Sequence, residues 1–162
     1  MSRVTGTTRQ LIQAVMQAVA EFQDAADRLD EGAAARLGLN RTDLRCLGVL
    51  FRTGSATAGE LAAAAGLSPG AATTAIDRLV AAGYARRTAD AQDRRRVIVE
   101  PTATARKRAG EIWDPVGQES FRRLSARTPE ELEVIRAFLE EGRTLQINHA
   151  ERIRTPAARG RD

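Results

Sequence analysis

Apolar residues along the first thirty positions recur every three or four: Ile12, Val15, Val19, Phe22, Ala26 and Leu29. That spacing predicts a helix over about residues 6–31 with a heptad-like seam, about 40 Å long at 1.5 Å per residue. So long a helix projects beyond a small core and wants a partner along its length. Gly38 marks the break after it. Three short segments follow, each with its own start and stop. In NRTDLRCLGVLFRTG, Asn40 is the predicted N-cap and Asp43 stands three residues on; Leu44, Leu47, Leu50 and Phe51 are apolar, and Gly54 ends the run. TAGELAAAAG opens with a capping box, Thr57 and Glu60, and stops at Gly66. SPGAATTAIDRLVAAG has Ser68 as N-cap, Pro69 at the favoured first helical position and Gly83 as stop.

The period then switches to two. YARRT and VIVEP flank the polar ADAQDRRR, which reads as a β-hairpin with a long basic tip. A helix is expected from about Ala103, interrupted near Pro115, where the ring removes a donor and clashes with the preceding turn. Thr128, Pro129 and Glu131 start a last helix, whose Leu132, Ile135, Leu139, Gly142, Gln146, His149 and Ile153 again step by three and four. The expected fold class is mainly α with a small β-hairpin wing. Residues 1–38 are expected to form an N-terminal dimerisation helix, 39–102 a winged helix-turn-helix, 103–154 C-terminal dimerisation helices and 155–162 a flexible tail.

At 162 residues and 43% hydrophobic content the chain has material for one packed domain with helical extensions. The net charge is +4, but its placement says more. Residues 78–108 carry Arg78, Arg86, Arg87, Arg94, Arg95, Arg96, Arg106, Lys107 and Arg108 against only Asp90, Asp93 and Glu100. The remainder is slightly acidic, so the basicity is focused, as an anionic partner requires. With one cysteine, Cys46, there is no internal disulfide and a reducing compartment is expected. No signal pattern or membrane-length apolar run is evident, so no membrane association and a cytoplasmic location are expected.

GLSPG, residues 66–70, fits G-x-S-x-G, the turn that presents a nucleophilic serine in many hydrolases. That turn needs a buried strand leading into it, and ELAAAA before Ser68 is a strong helix-forming run. The one histidine, His149, lies on a distant polar stretch, better suited to a seam or surface than to a triad or a metal. Ser68 is read as an N-cap. No catalytic residue, metal site or cofactor is expected.

Helix, three-residue turn, helix is the helix-turn-helix arrangement, whose second helix enters the major groove. Wound at 3.6 residues per turn, residues 69–82 put Ala72, Ala75, Ile76, Leu79 and Val80 toward a core. Gly70, Thr73, Thr74, Asp77, Arg78 and Ala81 fall on the other side. Small, hydroxyl-rich positions let a helix sit deep among base edges, and Arg78 is placed to reach guanine or phosphate. An ordinary solvated face has the same periodicity, and a charged tip such as DRRR also serves solubility. The order of three helices and a basic wing is what favours duplex DNA. An arginine at such a tip suits the negative potential of a narrow minor groove. Two other readings stand beside this one: a winged-helix module for protein or RNA, and, more remotely, the Ser68 hydrolase.

LNRTDLRCLGVL, TAGELAAAAGLSPGAATTAIDRLVAAGYARR and ADAQDRRRVIVEPT resemble transcriptional regulators of the MarR (multiple antibiotic resistance regulator) family over residues 39–102. The resemblance implies a winged-helix homodimer with intertwined terminal helices and a small-molecule pocket between its dimerisation and DNA-binding parts. It implies a ligand-responsive repressor on an inverted-repeat operator of double-stranded DNA. Ser68, Pro69, Gly70, Thr73, Thr74 and Arg78 would lie toward the major groove. Asp93, Arg94 and Arg95 match the family's D-R-R, and Arg94, Arg95 and Arg96 are the wing's candidates for the minor groove. Asp90 matches a frequent first wing aspartate, whereas Arg96 stands where the family is often small. Asp77 and Asp93 are the candidate wing-orienting carboxylates, Asp77 through an ion pair with a wing arginine. Leu47 and Trp113 are the candidate effector-pocket residues, with core or interface packing the competing role for Trp113. Cys46 is read as a buried small hydrophobe, with a redox sensor as the alternative.

Overall fold

The computed structural model describes residues 6–89 and 96–154. In chain order the elements are α1 (Gly6–Leu37), α2 (Arg41–Thr53), β1 (Ala56–Thr57), α3 (Ala58–Ala65), α4 (Pro69–Ala81), β2 (Ala85–Ala89), β3 (Val97–Pro101), α5 (Ala103–Leu124) and α6 (Pro129–Arg154). Two compact units result, one ending at Ile112 and the other beginning at Trp113. The mainly helical class and the winged helix-turn-helix expected from the sequence are both present.

In the first unit, α2, α3 and α4 enclose the core. Leu47, Val49, Leu50, Leu61, Ile76, Leu79 and Val99 are all but sealed from solvent. Each such aliphatic side chain contributes about 1.5–3 kcal/mol of transfer free energy, which holds the three short helices to one another. The caps read from the sequence are all made. Asn40 Oδ1 accepts from the Asp43 N–H at 2.9 Å, and Ser68 Oγ from the Ala71 N–H at 3.3 Å. Thr57 and Glu60 close their box reciprocally at 3.3 and 2.8 Å. Gly66 takes the left-handed conformation, φ 65° and ψ 38°, which turns the chain from α3 into α4.

A three-stranded antiparallel sheet in the order β1-β3-β2 flanks this core. β2 pairs with β3 so that Arg87 lies opposite Val99 and Ala89 opposite Val97. β1 pairs through Ala56 with Val99 and through Thr57 with Ile98. This two-residue strand is too short for any period and was not expected from the sequence. The tip of the hairpin, with Asp90, Asp93, Arg94 and Arg95, lies outside the described residues.

Two helices run further than expected. α1 continues past residue 31 to Leu37, because a single glycine, Gly32, is outweighed by the burial of Ala33, Ala34 and Leu37. It ends where Gly38 turns left-handed and the Leu39 N–H reaches back to the Ala34 carbonyl at 2.9 Å. The Tyr84 hydroxyl, buried, donates to the Leu37 carbonyl at 3.1 Å and satisfies another of the helix's terminal acceptors. α5 passes through Pro115 without a break, contrary to the expected interruption. The proline deprives only the Glu111 carbonyl of its helical partner, and Glu111, Asp114 and Pro115 are exposed, so that carbonyl is open to solvent rather than buried without a donor.

In the second unit, α6 opens with a further capping pair. The Thr128 N–H donates to Glu131 Oε2 at 2.9 Å and the Glu131 N–H to Thr128 Oγ1 at 3.2 Å. No residue of α6 is buried.

Candidate nucleic-acid interface

α4 turns its apolar side inward, with Ala72, Ala75, Ile76 and Leu79 buried. Gly70, Thr73, Thr74 and Asp77 are exposed on the opposite side, as their spacing predicts, and Ser68 and Pro69 at its start are exposed as well. The Thr73 and Thr74 hydroxyls donate to the carbonyls of Pro69 and Gly70, both at 3.0 Å. That bond orients each hydroxyl but leaves its oxygen able to accept a further hydrogen bond on an exposed residue. A Cβ placed on Gly70 would meet nothing within 4 Å, so the helix face at that turn is bare and open.

The hairpin is tied to both helices of the helix-turn-helix motif. Arg87 on β2 pairs with Asp77 on α4, Nη2 to Oδ1 at 2.6 Å. Asp77 thus has a hairpin arginine as its partner, on a strand rather than at the tip. Arg96, at the foot of β3, pairs with Glu60 on α3 at 3.2 Å. Within the hairpin, Arg86 Nε bonds Glu100 Oε1 at 2.9 Å. These pairs are solvated and individually contribute little, so their effect is on orientation more than on stability.

Glu60 accepts from the Thr57 N–H and then from the Thr57 hydroxyl, with Arg96 adding to both, and these hold its carboxyl below the ordinary glutamate range. A depressed folded-state value contributes stability above the unfolded value and loses it as the pH falls through the folded one. As the pH falls below the ordinary glutamate range, therefore, the cap of α3 and the Arg96 contact are expected to loosen together. Amide-proton protection at Thr57, followed by NMR from neutral pH downward, should fall in that window in the native chain. In Glu60→Gln it should show no acid transition; an identical transition in both would remove Glu60 from the explanation.

Arg78 departs from its expected posture. Its guanidinium turns back to α2, with Nε 2.8 Å from Asp43 Oδ2 and Nη2 2.6 Å from Asp43 Oδ1. The Asp43 side chain is only 3% exposed, while 45% of the Arg78 side chain remains accessible. Asp43 Oδ2 also accepts from Asn40 Nδ2 at 2.9 Å. Sequence reasoning saw Asp43 only as a residue of the first helical turn. Its partner lies 35 positions away, beyond any local pattern.

Leu47 is 1% exposed and belongs to the core, which corrects its assignment to an effector pocket. At an inward position of α2 it has no free surface for a ligand. Trp113 is half-buried and, with Asp114, Gly117, Gln118 and Phe121, lines an open hollow of about 480 Å³ on α5. Cys46 is fully buried, and burial, followed by the nearby Asp43 carboxylate, pushes its thiol pKa up, away from thiolate reactivity. Ser68 is preceded by α3 and a left-handed glycine rather than by a strand, so it is not on a nucleophile elbow. Among the described residues no group of histidine, cysteine and carboxylate side chains is arranged to hold a metal. No described helix is long and apolar enough to cross a membrane.

Two capped helices joined by a tight turn and followed by a hairpin define a winged helix-turn-helix protein. The sequence model of the MarR family matches residues 37–96. The uncharacterized HTH-type transcriptional regulator YcgE of Bacillus subtilis strain 168 is 36% identical over 124 residues, spanning 76% of this chain and 80% of its own. The chain belongs to the MarR family of transcriptional regulators. The fold agrees with solved members at lower identity. A cysteine-to-serine mutant of MarR from E. coli, complexed with operator DNA, matches with a TM-score of 0.54 at 23% identity, over 80% of this chain and 94% of that one. NadR in complex with 4-hydroxyphenylacetate matches with a TM-score of 0.58 at 22% identity, over 87% and 94%.

Proposed function

We propose that the protein is a homodimeric, sequence-specific regulator that binds an inverted-repeat operator in double-stranded DNA and acts as a repressor released by a small molecule. The observation that carries this reading is the exposed face of α4. It is small, hydroxyl-bearing and bare at Gly70, and the basic hairpin beside it is held by the Arg87–Asp77 pair. Ser68, Pro69, Gly70, Thr73 and Thr74 are the proposed major-groove side, and Arg94, Arg95 and Arg96 the proposed minor-groove side. A protein- or RNA-binding module has no need of this combination. Catalysis has no place in the reading.

The operator complex of the MarR mutant supports DNA as partner, and the NadR complex supports a small-molecule effector. The Trp113 hollow on α5 is the proposed aromatic contribution to effector binding. The proposed division of labour assigns residues 39–102 to reading DNA, 1–38 and 103–154 to dimerisation, and 155–162 to a tail, in a cytoplasmic protein.

Selection of bound fragments from genomic DNA, followed by footprinting, tests the reading. Recovered fragments should share an inverted repeat with half-sites about 10 bp apart, both protected at once. Recovery of unrelated sequences, or protection of one half-site only, would overturn it.

A further inference from the structure

We infer that Asp43 is a positioning residue for the DNA-reading helix, and that Arg78 is its strut rather than a reader of bases. The inference rests on the proposed duplex binding through α4 and adds to it which charged side chains set the pose of that helix. Asp43 sits in the first turn of α2 with its carboxylate buried. Both of its oxygens are occupied by Arg78, side-on through Nε and Nη2, and Oδ2 takes Asn40 as well. Asn40 in turn accepts from the Asp43 N–H. The N-cap of α2 and the last turn of α4 are thus one hydrogen-bonded unit. A second link from the same helix reaches the C-terminal end of α3, where Arg45 Nη1 approaches the Ala65 carbonyl at 3.5 Å.

The side-on pair takes Nε–H and one Nη2–H of Arg78, so any contact with DNA falls to the remaining edge of a guanidinium whose place Asp43 sets. Releasing it would strip a buried carboxylate of its cation, which is strongly penalised. A planar, bidentate guanidinium also fixes orientation where a lysine would act only as a point charge. The carboxylate therefore dictates the direction in which α4 presents Thr73 and Thr74, although Asp43 itself is too buried to touch DNA. The accessible edge of Arg78 leaves a direct base or phosphate contact as the competing role, and the double variant together with its salt dependence separates these from the strut.

The test uses the full chain, a duplex recovered by the genomic selection, and a scrambled duplex of equal length, each titrated over a range of salt. Asp43→Asn keeps the shape of the side chain and removes its charge. It should lower affinity for the selected duplex at least tenfold relative to the scrambled one, with the slope of log affinity against log salt unchanged. The double variant Asp43→Leu/Arg78→Met replaces the ion pair with an apolar pair of similar volume and should recover most of that discrimination. Two results would overturn the inference: unchanged discrimination in Asp43→Asn, or a double variant that stays non-specific, with its salt slope reduced by about one if a phosphate contact was lost and unchanged if a base contact was. If Asp43→Asn does not fold, the double variant decides alone. If the native chain binds no duplex, the functional reading fails separately. A thermal-unfolding cycle over Asp43→Asn, Arg78→Met and their combination then tests the strut, and additivity would remove it.

Discussion

Raising the salt concentration from 50 to 200 mM is expected to weaken specific duplex binding by about 10³–10⁵, the loss associated with roughly 6–10 phosphate contacts in a dimer. The estimate depends on which cations are available. Within the basic segment, Arg78, Arg86, Arg87 and Arg96 are engaged with Asp43, Glu100, Asp77 and Glu60. Among the described residues, Arg106, Lys107 and Arg108 at the start of α5 form no ion pair. Together with the tip arginines they are the main proposed source of counterion release. Arg95→Ala should lower the salt slope by about one for each protomer while leaving thermal unfolding and self-association unchanged. A nearly flat salt response of the native chain would show that the cluster does not touch DNA, and an unaltered slope in Arg95→Ala would take that side chain out of the interface.

The helix-turn-helix was legible because its signals are local. Ser68 followed by Pro69, Gly66 before them and Gly83 after them each specify a backbone conformation within a few residues. The structure makes each of these bonds or turns where it was expected. The alternation in YARRT and VIVEP likewise fixed a hairpin whose register the structure shows. What escaped was decided by tertiary context. Burial of Ala33, Ala34 and Leu37 extends α1, and solvent tolerates Pro115 in α5. The same limit explains the site. The chemistry of Asp77, a carboxylate in need of an arginine, was readable, but its choice of Arg87 depends on how β2 lies against α4. The Asp43–Arg78 pair joins residues whose separate roles looked complete, one as a helix-start acid and one as a DNA contact.

Deletion of residues 1–30 is expected to convert a dimer into a monomer and to weaken operator binding by about 10²–10⁴. Joining two half-site readers makes the second contact intramolecular, and that avidity is lost with the link. The structure shows why the deletion is selective. Through residue 32, α1 has no buried residue, and Leu11, Ile12, Val15, Met16 and Phe22 are between 46% and 69% exposed. Only Ala33, Ala34 and Leu37 belong to the core, and the deletion spares them. On α6, Val134, Leu139, Leu145 and Ile153 are at least 57% exposed, a second stripe that a single chain leaves in water. Exposed apolar surface of this extent marks an interface, and in the proposed dimer a two-fold partner would cover each stripe with the same residues on each side. That symmetry would set two copies of α4 about one DNA turn, ~34 Å, apart. The shortened chain should unfold cooperatively, because its core is intact, yet sediment as a monomer at micromolar concentration and protect the operator poorly. A full-length chain already monomeric at that concentration would refute the proposed dimer. A shortened chain that remains a tight dimer with undiminished operator affinity would assign the interface to α6 alone.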